Sequence, residues 1–476
     1  MKTVIVGAGF TGRQLARELV AEGNEVVLLD SDEERVRHAS DEMDCFVEEA
    51  DGRNLRTLEK AGIASADAFV ALSGNDEVNM MMCSLVDALY PRVSKIARVR
   101  NYSYYAAADE ARRRAMAGAA GSRPLYGVDT MLNPDVEAAG AIASAVENGA
   151  VGNVVELGGG YGLAALSVGE ASPLAGLSLR MLPALEEWRY LVAYVESGGE
   201  ISIPNGDTVI KEGDFLGVVA PNDGIAKLLE FTRTPKTAIR RAVLFGADRI
   251  GMLLLERRKA RKSPSAWLRL LGLAPSAPEM EIVVVDKDPA KCRDAVERFP
   301  GVRVLCGDVT DESLLNEENL FSSDLLVAAS GNHELNLVTA AYMKSRGVKR
   351  SVALTANSSY DAIARKLGVD VAVPMRGSVV DAIMGHLRGR NVISVHSVCD
   401  RRFELVEGVI APKASAAGKT LSEVPPGGPL VLLHRAAGDE SWDIARGKTV
   451  MEPGSRVVLI AANGDSRSES RFFGKV

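Results

Sequence analysis

The chain has few residues of the kinds that metal centres, disulfide scaffolds and membrane spans require. Its 476 residues include five cysteines and five histidines, and no two cysteines are spaced as a CxxC pair. This usage favours buried thiols in a reducing cytosol over disulfides or a metal site. No apolar run reaches the ~18 residues of a membrane span, and Met1-Lys2 leads straight into a predicted strand. We therefore expect a cytoplasmic protein that is peripheral to a membrane at most.

Positive charge is also scarce. The 56 lysines and arginines are outnumbered by 63 aspartates and glutamates, which gives a formal net charge of -7 and a pI near 5.6. This balance offers no basic field to nucleic acid or anionic lipid, so we do not expect nucleic acid as a partner. The hydrophobic fraction of 47% is sufficient for several cores. At roughly 100–200 residues per domain, the length predicts three or four domains.

A glycine-rich turn between two predicted strands lies near the start of the chain, within Val4 to Asp30 (VIVGAGFTGRQLARELVAEGNEVVLLD). The order of strand, glycine turn, helix and strand is typical of dinucleotide-binding units. The first glycine permits the tight turn, the second lets the backbone approach a pyrophosphate, and the third lets the helix pack on the strand. The helix N-terminus then faces the phosphates. The candidate binding residues of the turn are Gly7, Ala8, Gly9, Phe10, Thr11 and Gly12.

An acidic residue ends the second predicted strand. Asp30 follows Gly12 by 18 positions, which places a carboxylate at the strand tip, where the ribose of an adenosine presents its hydroxyls. An acid at this position favours NAD over NADP. The alternative is a glycine turn kept only for packing, but strand, helix and acid fall in the order that nucleotide binding requires.

The following residues continue the alternation of strands and helices. We predict strands at 45–47, 68–72 and 95–99 and helices at 54–61 and 135–147, the last as a crossover or dimer-packing helix. Three consecutive methionines, residues 80–82, are expected to fill a core. The further candidates at strand ends are Asp51, Ser73, Arg98 and Arg100. For each of the two arginines, a solvated surface position is an equal alternative to a phosphate contact.

From about Gly149 the pattern changes to short alternating runs. Turn signals at Asn205-Gly206 and Glu212-Gly213-Asp214 predict a hairpin in the sequence IPNGDTVIKEGD and a separate small α+β module that ends near Phe231. The module contains no paired carboxylates, His–Cys pair or Ser–His set. Binding or assembly therefore suits it better than catalysis.

The second half of the chain repeats the first. Residues 242–251 repeat the opening strand and turn, Asp286 repeats the acid, and a constant offset of 257 residues relates Asp51 to Asp308 and Ser73-Gly74-Asn75 to Ser330-Gly331-Asn332. Identities at a constant offset indicate a tandem duplication. The predicted fold is α/β, with two doubly wound Rossmann-like domains, each followed by a small α+β domain. The predicted domains are 1–148, 149–232, 237–390 and 391–476.

The two copies differ where a nucleotide would bind. Asp248 replaces Gly9, and Leu354 and Ala356 replace the two candidate arginines. Asp286 remains as a weaker candidate for an adenosine in the second copy. We therefore predict that the second Rossmann-like domain is mainly a scaffold. An insertion at about 257–280 carries a basic run, for which a mobile, solvated loop is expected and a partner contact is the alternative.

The order of domains, with GAGFTG, the Asp30 strand, the SGNDEVNM junction and the IPNGDTVIKEGD segment, resembles the Trk-system potassium uptake TrkA family, built from tandem RCK domains each followed by a TrkA-C domain. The resemblance implies a cytosolic gating subunit that binds NAD or NADH, or ATP and ADP, and docks on a TrkH-type potassium channel subunit. It also implies a homo-oligomer, a tetramer of eight domains in a ring. Carried over, Gly7, Gly9 and Gly12 line the pyrophosphate, Asp30 binds the ribose, and Asp51 and Ser73 border the cleft.

Two other functions are alternatives to this regulatory role: an NAD-dependent oxidoreductase and a soluble nucleotide sensor with another partner. A dehydrogenase needs a positioned acid or base facing the nicotinamide. The five histidines are scattered, and only His333 lies at a strand–helix junction, in the copy whose glycine turn is altered. The sequence therefore favours a protein that is not an enzyme.

Overall fold

The computed structural model describes four sheets in two compact units. One unit combines Met1–Ala143 with Ile239–Leu387, and the other combines Ser144–Ala238 with Arg388–Val476. We propose 1–148, 149–232, 237–390 and 391–476 as domains, because each sheet lies within one of these segments. The described residues are 1–116, 124–148, 154–169, 172–181, 189–198, 200–222, 224–225, 228, 239–261, 280–387, 391–398, 402–425, 428–462 and 465–474.

The first sheet and its helices form lobe 1. The strands are parallel in the order β3-β2-β1-β4-β5-β6, so the direction of winding reverses between β1 and β4. The strands are β1 Lys2–Val6, β2 Glu25–Asp30, β3 Phe46–Glu49, β4 Ala68–Ala71, β5 Ser94–Arg98 and β6 Thr130–Leu132. The helices are α1 Phe10–Ala21, α2 Glu33–Glu42, α3 Leu55–Lys60, α4 Asp76–Leu89, α5 Tyr102–Met116 and α6 Pro134–Asn148.

The strands of lobe 1 are apolar on both faces because helices cover both sides of the sheet. Val4 and Phe69 belong to one core, whereas Ile5 and Val70 belong to the core on the opposite face. All five predicted elements are found within two residues of their predicted ends. The methionine run was only partly predicted, since Met81 is 46% exposed between two buried neighbours.

Lobe 2 repeats this architecture with the strand order β14-β13-β12-β15-β16-β17, which confirms the predicted fold class and its duplication. Its strands are β12 Arg241–Phe245, β13 Glu281–Asp286, β14 Arg303–Cys306, β15 Leu325–Ala328, β16 Arg350–Thr355 and β17 Val371–Pro374. Its helices are α7 Arg249–Arg261, α8 Pro289–Arg298, α9 Glu312–Glu317, α10 His333–Ser345, α11 Asp361–Lys366 and α12 Met375–Leu387.

The two lobes exchange their last helices. Helix α12 of lobe 2 packs on α1 of lobe 1, where Val380 and Ile383 share a core with Leu15 and Leu19. In the other direction, Arg257 of α7 donates a hydrogen bond to the Val136 carbonyl of α6, at 3.5 Å. Each lobe therefore completes the packing of the other. The apolar face of α6 is buried within the chain: Ala138, Ala139 and Ile142 are 0% exposed.

The two small sheets form the second unit and are antiparallel. Their orders are β10-β9-β11-β8-β7 and β18-β19-β22-β20-β21. Tyr194 and Leu163 of one sheet share a core with Phe403, Trp442 and Ile460 of the other. The first set is β7 Val154–Gly158, β8 Tyr161–Ser167, β9 Leu191–Ser197, β10 Glu200–Ser202 and β11 Phe215–Pro221. The second set is β18 Val392–Val398, β19 Phe403–Val409, β20 Leu430–Arg435, β21 Asp443–Ile444, β22 Arg456–Ala462 and the helix α13 Ser466–Phe473.

The turn predicted at Asn205-Gly206 is present, but the prediction of a hairpin is wrong, because the segment after the turn does not pair with the segment before it. The Asn205 N–H bonds the Thr208 hydroxyl at 3.0 Å, which closes the turn. The chain then runs along a non-sequential segment, with the Leu179 N–H donating to the Thr208 carbonyl and the Ile210 N–H to that of Leu177. Burial of Ile210, which is 0% exposed, requires this placement, and the local sequence does not encode it.

The predicted loop at 257–280 begins later than expected. Arg257 to Arg261 form the end of α7, so most of the basic run is helical. Arg258 donates a hydrogen bond to the Met280 carbonyl at 2.6 Å. Helix formation by this run follows from its composition, because arginine, lysine and alanine are strong helix formers. Residues 262–279 lie outside the described residues.

Candidate functional site

A cleft of about 520 Å³ lies at the carboxyl ends of β1 and β4, where the winding of lobe 1 reverses. Open α/β sheets bind their ligands at such a point, and cofactor pockets commonly measure about 300–1,000 Å³. The lining residues come from both lobes: Gly7, Gly9, Phe10, Thr11, Gly12, Arg13, Arg35, Leu72, Ser73, Gly74, Arg98, Arg100, Pro134, Met375, Arg376 and Val379.

The three glycines of the turn have different physical roles. Gly7 has a φ of +115°, and a Cβ on Gly12 would lie 1.8 Å from the Gly7 carbonyl oxygen. The fold itself therefore excludes side chains at both positions. Gly9 has an ordinary φ of −66°, and a Cβ there would meet none of the described residues within 4 Å. Its missing side chain leaves open space on the cleft side, which suits the close approach of a ligand.

Helix α1 begins at this turn without a side-chain cap. By contrast, side chains of Asp32, Asn54 and Asn75 accept hydrogen bonds from the first N–H groups of α2, α3 and α4. Uncapped N–H groups at a helix start carry partial positive charge and bind anions. The start of α1 is thus an uncapped helix terminus that faces the cleft.

Asp30 holds the shape of the turn. Its carboxylate accepts hydrogen bonds from the Ala8 N–H at 2.7 Å and from the Asp32 N–H at 3.0 Å, and its side chain is nearly buried. Arg35 lies 3.8 Å from the same carboxylate. A carboxylate oxygen has more than one acceptor site, so Asp30 retains capacity for a ribose hydroxyl. Ala8 itself is buried and contributes its N–H to Asp30 instead of lining the cleft.

A buried amide fixes the opposite wall. Asn79 accepts hydrogen bonds from the Ser73 N–H at 2.9 Å and from its hydroxyl at 2.6 Å, and donates to the Arg98 carbonyl at 2.9 Å. The sequence shows Asn79 only as a repeated residue, without this positioning role. Asp76 accepts from the N–H groups of Arg100 and Asn101 at 2.8 and 2.7 Å. These bonds lock the ends of β4 and β5 together.

Five guanidinium groups line the cleft. Burial, followed by the charge of Arg100, lowers the pKa of Arg98 to about 10, and the charge of Arg376 acts in the same direction. The Arg98 Nε is buried without a hydrogen-bond partner among the described residues. The Arg98 Nη2 donates to the Leu72 and Ser73 carbonyls at 3.0 and 2.9 Å, which holds this side chain at the cleft wall. A cluster of cations of this kind fits an anionic ligand such as a pyrophosphate. The five are Arg13, Arg35, Arg98, Arg100 and Arg376.

Three of these arginines were missed by the sequence analysis. Arg13 directly follows the last glycine of the turn, and Arg35 follows Asp30 by five positions, so their spacing carried a usable signal. Arg376 comes from the other lobe and has no local signal. Asp51, a predicted border residue, does not line the cleft. Its carboxylate is held by Arg53 at 2.9 Å, and these hydrogen bonds lower the pKa of Asp51.

The corresponding position in lobe 2 contains a carboxylate of the chain itself. Asp248 accepts a hydrogen bond from the Gly331 N–H at 2.9 Å and forms an ion pair with Lys291. These groups correspond to Gly74 and Arg35 of lobe 1. The Asn336 amide donates to the Leu354 carbonyl at 3.1 Å, as Asn79 does to Arg98, which confirms that Leu354 replaces the arginine. Asp248 therefore occupies the position where an anion would bind.

The rest of the lobe 2 turn is preserved. Asp286 accepts from the Ala247 N–H at 2.8 Å and from the Asp288 N–H at 2.9 Å, as Asp30 does in lobe 1. Helix α6 brings Asp135 to this side. Burial raises the pKa of Asp135, with Arg249 opposing and Asp248 reinforcing the shift. Lobe 2 therefore has two carboxylates, each with a cation nearby, where lobe 1 has a cluster of arginines.

Comparison with known proteins identifies the family. The TrkA-N domain matches residues 3–119 and 272–374, and the TrkA-C domain matches residues 163–233. The Trk system potassium uptake protein TrkA homolog 1 of Methanosarcina mazei is 28% identical over 99% of this chain and 100% of its own length. The Trk system potassium uptake protein TrkA of Halomonas elongata is 26% identical over 96% of this chain and 95% of its own length.

The chain belongs to the TrkA family. This confirms the sequence-based assignment and the prediction that the chain is not an enzyme, since these relatives are named as potassium uptake proteins. Among solved structures, the GsuK channel bound to NAD covers 99% of this TrkA-family chain and 78% of its own chain, at a TM-score of 0.54 and 18% identity. The GsuK RCK domain has the same TM-score and identity and is covered over 94% of its length. These two similarities establish the fold.

Two further observations apply to the described part of this TrkA-family protein. None of the helices described is both long and apolar enough to cross a bilayer. The same residues contain no cluster of three or more His, Cys, Asp or Glu side chains able to hold a metal ion. The thiols of Cys45, Cys83, Cys292 and Cys306 are free, and Cys399 lies outside the described residues.

Proposed function

We propose that the chain is a nucleotide-binding regulatory subunit of a Trk-type potassium uptake system and acts at the cytoplasmic face of the membrane. The observation that carries this proposal is the cleft of lobe 1, where an uncapped helix start, an open glycine and five arginines converge. Membership of the TrkA family, whose relatives are named as potassium uptake proteins, supports a role in potassium transport. The membrane partner we propose is a TrkH-type potassium channel subunit, on which this chain docks.

The ligand we propose for the cleft is NAD or NADH, with ATP and ADP as further candidates. Asp30 at the tip of β2 suits the ribose of an adenosine and opposes a 2′-phosphate at that position. The guanidinium groups of Arg98 and Arg100 and the N–H groups of Gly9 and Thr11 suit a pyrophosphate. The GsuK channel, which shares the fold, is described as bound to NAD.

Potassium flux tests this proposal directly. Proteoliposomes that contain the TrkH-type subunit are loaded with this chain, and potassium flux is recorded with and without NADH, NAD, ATP or ADP. We expect flux to depend on both the chain and a nucleotide. Nucleotide binding without any effect on flux would instead indicate a soluble sensor with another partner, and absence of nucleotide binding would contradict the proposal altogether.

The ribose acid gives a test with an internal control. Asp30→Asn is expected to weaken NADH binding by about 1–3 kcal/mol, because a hydrogen bond to a charged acceptor is lost. Asp286→Asn makes the same change in lobe 2, where asparagine keeps one acceptor oxygen and can therefore retain only one of the two backbone hydrogen bonds. Isothermal titration calorimetry and thermal unfolding measure both variants. We expect similar losses of melting temperature but a loss of affinity only for Asp30→Asn; equal affinities for both variants would refute the assignment of Asp30.

We also propose that the protein assembles as a homotetramer. The sequence left helix 135–147 open as a dimer-packing helix, but the apolar face of this helix, α6, is buried within the chain and is not available for assembly. A different surface supports assembly: Met81 of α4 and Val338 of α10 occupy equivalent positions in the two lobes and are 46% and 60% exposed. Exposed apolar groups at repeated positions suit a ring with pseudo-equivalent contacts.

Light scattering measures the assembly state. We expect a mass of four times the 50.6 kDa chain at micromolar concentration, and a smaller species for the double variant Met81→Lys/Val338→Lys, because each buried lysine would lack a partner. Val296→Lys is the matched control, since Val296 is 52% exposed on α8, away from both positions. A wild-type monomer would contradict the proposal.

A further inference from the structure

The cleft of lobe 1 is completed by a residue of lobe 2. Arg376 is the second residue of α12, the helix that packs on α1. Its guanidinium lies 5.1 Å from the centre of the Phe10 ring, within the glycine turn. Phe10, Arg376 and the cleft arginines Arg98 and Arg100 line one cavity. A charge from the other copy of the duplication therefore stands at the phosphate side of the cleft.

Arg376 has no carboxylate partner that would account for its position. The side chain is exposed, and within the described chain no ion pair involves it. The positive charge of Arg376 instead contributes to the lowered pKa of Arg98, because it disfavours the ionised form of that guanidinium. Like charges placed close together are unfavourable unless an anion is shared between them. The arrangement is therefore one in which a bound phosphate would relieve repulsion between the lobes.

The reciprocal position has the opposite charge. Helix α6 of lobe 1 begins at Pro134, and its second residue, Asp135, stands beside Asp248 and Arg249 of lobe 2. Asp135 and Arg376 thus occupy equivalent places in the two exchanged helices. Lobe 2 supplies a cation to the basic cleft, whereas lobe 1 supplies an anion to the cleft that Asp248 already occupies. The charges that the exchanged helices bring therefore favour an anionic ligand in the first cleft and disfavour one in the second.

We propose that Arg376 is a phosphate contact of the first cleft, so that a bound nucleotide joins lobe 1 to α12 of lobe 2. This inference rests on the proposed nucleotide site and adds a residue that couples it to the second lobe. A ligand shifts a conformational equilibrium only through different affinities for its states. A phosphate held by both lobes provides such a difference, because the contact exists only when α12 is seated on α1.

The affinity test uses ligands that differ in phosphate. Calorimetry with adenosine, AMP, ADP and NADH is performed on the full-length wild type, Arg376→Ala and Arg376→Lys. We expect Arg376→Ala to lower affinity for ADP and NADH by about ten- to hundredfold, the effect of one charged hydrogen bond. Affinity for adenosine should remain unchanged, and Arg376→Lys should restore part of the loss. An equal loss for adenosine would show that Arg376 only packs on Phe10 and would overturn the proposal.

The coupling test measures hydrogen exchange in α12 at saturating NADH. We expect the ligand to slow exchange in residues 375–387 of the wild type and of Arg100→Ala, which loses a lobe 1 cation but keeps the contact between lobes. Arg376→Ala at saturation should lose this protection. Protection that persists in Arg376→Ala would refute the coupling. Wild-type protein that binds no nucleotide would refute the proposed function itself, so the two failures are distinguishable.

Discussion

Gly9→Asp is expected to lower the affinity for NADH by at least about a hundredfold while leaving the fold intact. A Cβ at position 9 meets none of the described residues within 4 Å, and the φ of −66° suits any residue. The turn can therefore accept the side chain. The loss of binding arises from charge, since a carboxylate would stand where the pyrophosphate approaches the backbone.

Lobe 2 shows what this substitution would produce. There the carboxylate of Asp248 bonds the Gly331 N–H and Lys291. Gly74 and Arg35 hold the corresponding positions in lobe 1 and line the cleft. An aspartate at position 9 would accept a hydrogen bond from the Gly74 N–H and form an ion pair with Arg35. Both groups would then be engaged within the chain instead of binding the ligand. The variant would therefore lose two ligand contacts and gain a like charge against the phosphates.

Calorimetry with NADH and thermal unfolding of the same samples measure this effect. Gly301→Asp is the matched control, because it adds the same charge at an exposed turn where a Cβ meets no described atom within 4 Å. We expect wild-type affinity for the control and melting temperatures close to wild type for both variants. Unchanged NADH binding by Gly9→Asp would rule out the turn of lobe 1 as the dinucleotide site.

The second large effect concerns the number of sites. We expect about one dinucleotide per chain, because four charge differences between the two clefts disfavour an anion, whereas the one added cation, Arg249 in place of Phe10, lies beside Asp135. Asp248 fills the anion position, Asp135 adds another acid, and Leu354 and Ala356 replace arginines. Each difference disfavours a bound anion. An affinity for NADH at least about a hundredfold weaker in lobe 2 follows, if each lost charged contact has its usual strength.

Equilibrium dialysis and native mass spectrometry give this stoichiometry. Asp248→Gly should raise NADH affinity in lobe 2 only modestly, because the phosphates would still lack two arginines. Two wild-type sites of similar affinity would refute the asymmetry. An adenosine bound through Asp286 would appear as a second site without preference for phosphate, and Asp286→Asn would remove it. Ligand-driven motion is then expected to originate in residues 1–148.

The sequence alone determined the features that are encoded locally. The glycine turn, the acid at the end of β2 and the 257-residue repeat are visible because strand, turn and helix are formed by neighbouring residues with characteristic spacing. The same signals gave the doubly wound fold, since the strand order follows from repeated crossover connections of one hand. The loss of Gly9 in the second copy was also readable from alignment of the two halves.

The tertiary structure alone decided which distant groups meet. Arg376 lies more than 350 residues beyond the glycine turn that it faces, and nothing in the sequence around it distinguishes it from a solvated arginine. Likewise, the pairing of Asp248 with Gly331, the buried position of Asn79 and the partner of the Asn205 turn depend on how the elements pack. The exchanged helices pack through apolar surfaces, and many apolar sequences could pack in the same way. The sequence therefore does not show which helix packs on which lobe. Only the tertiary structure shows which charges the exchanged helices bring to each cleft.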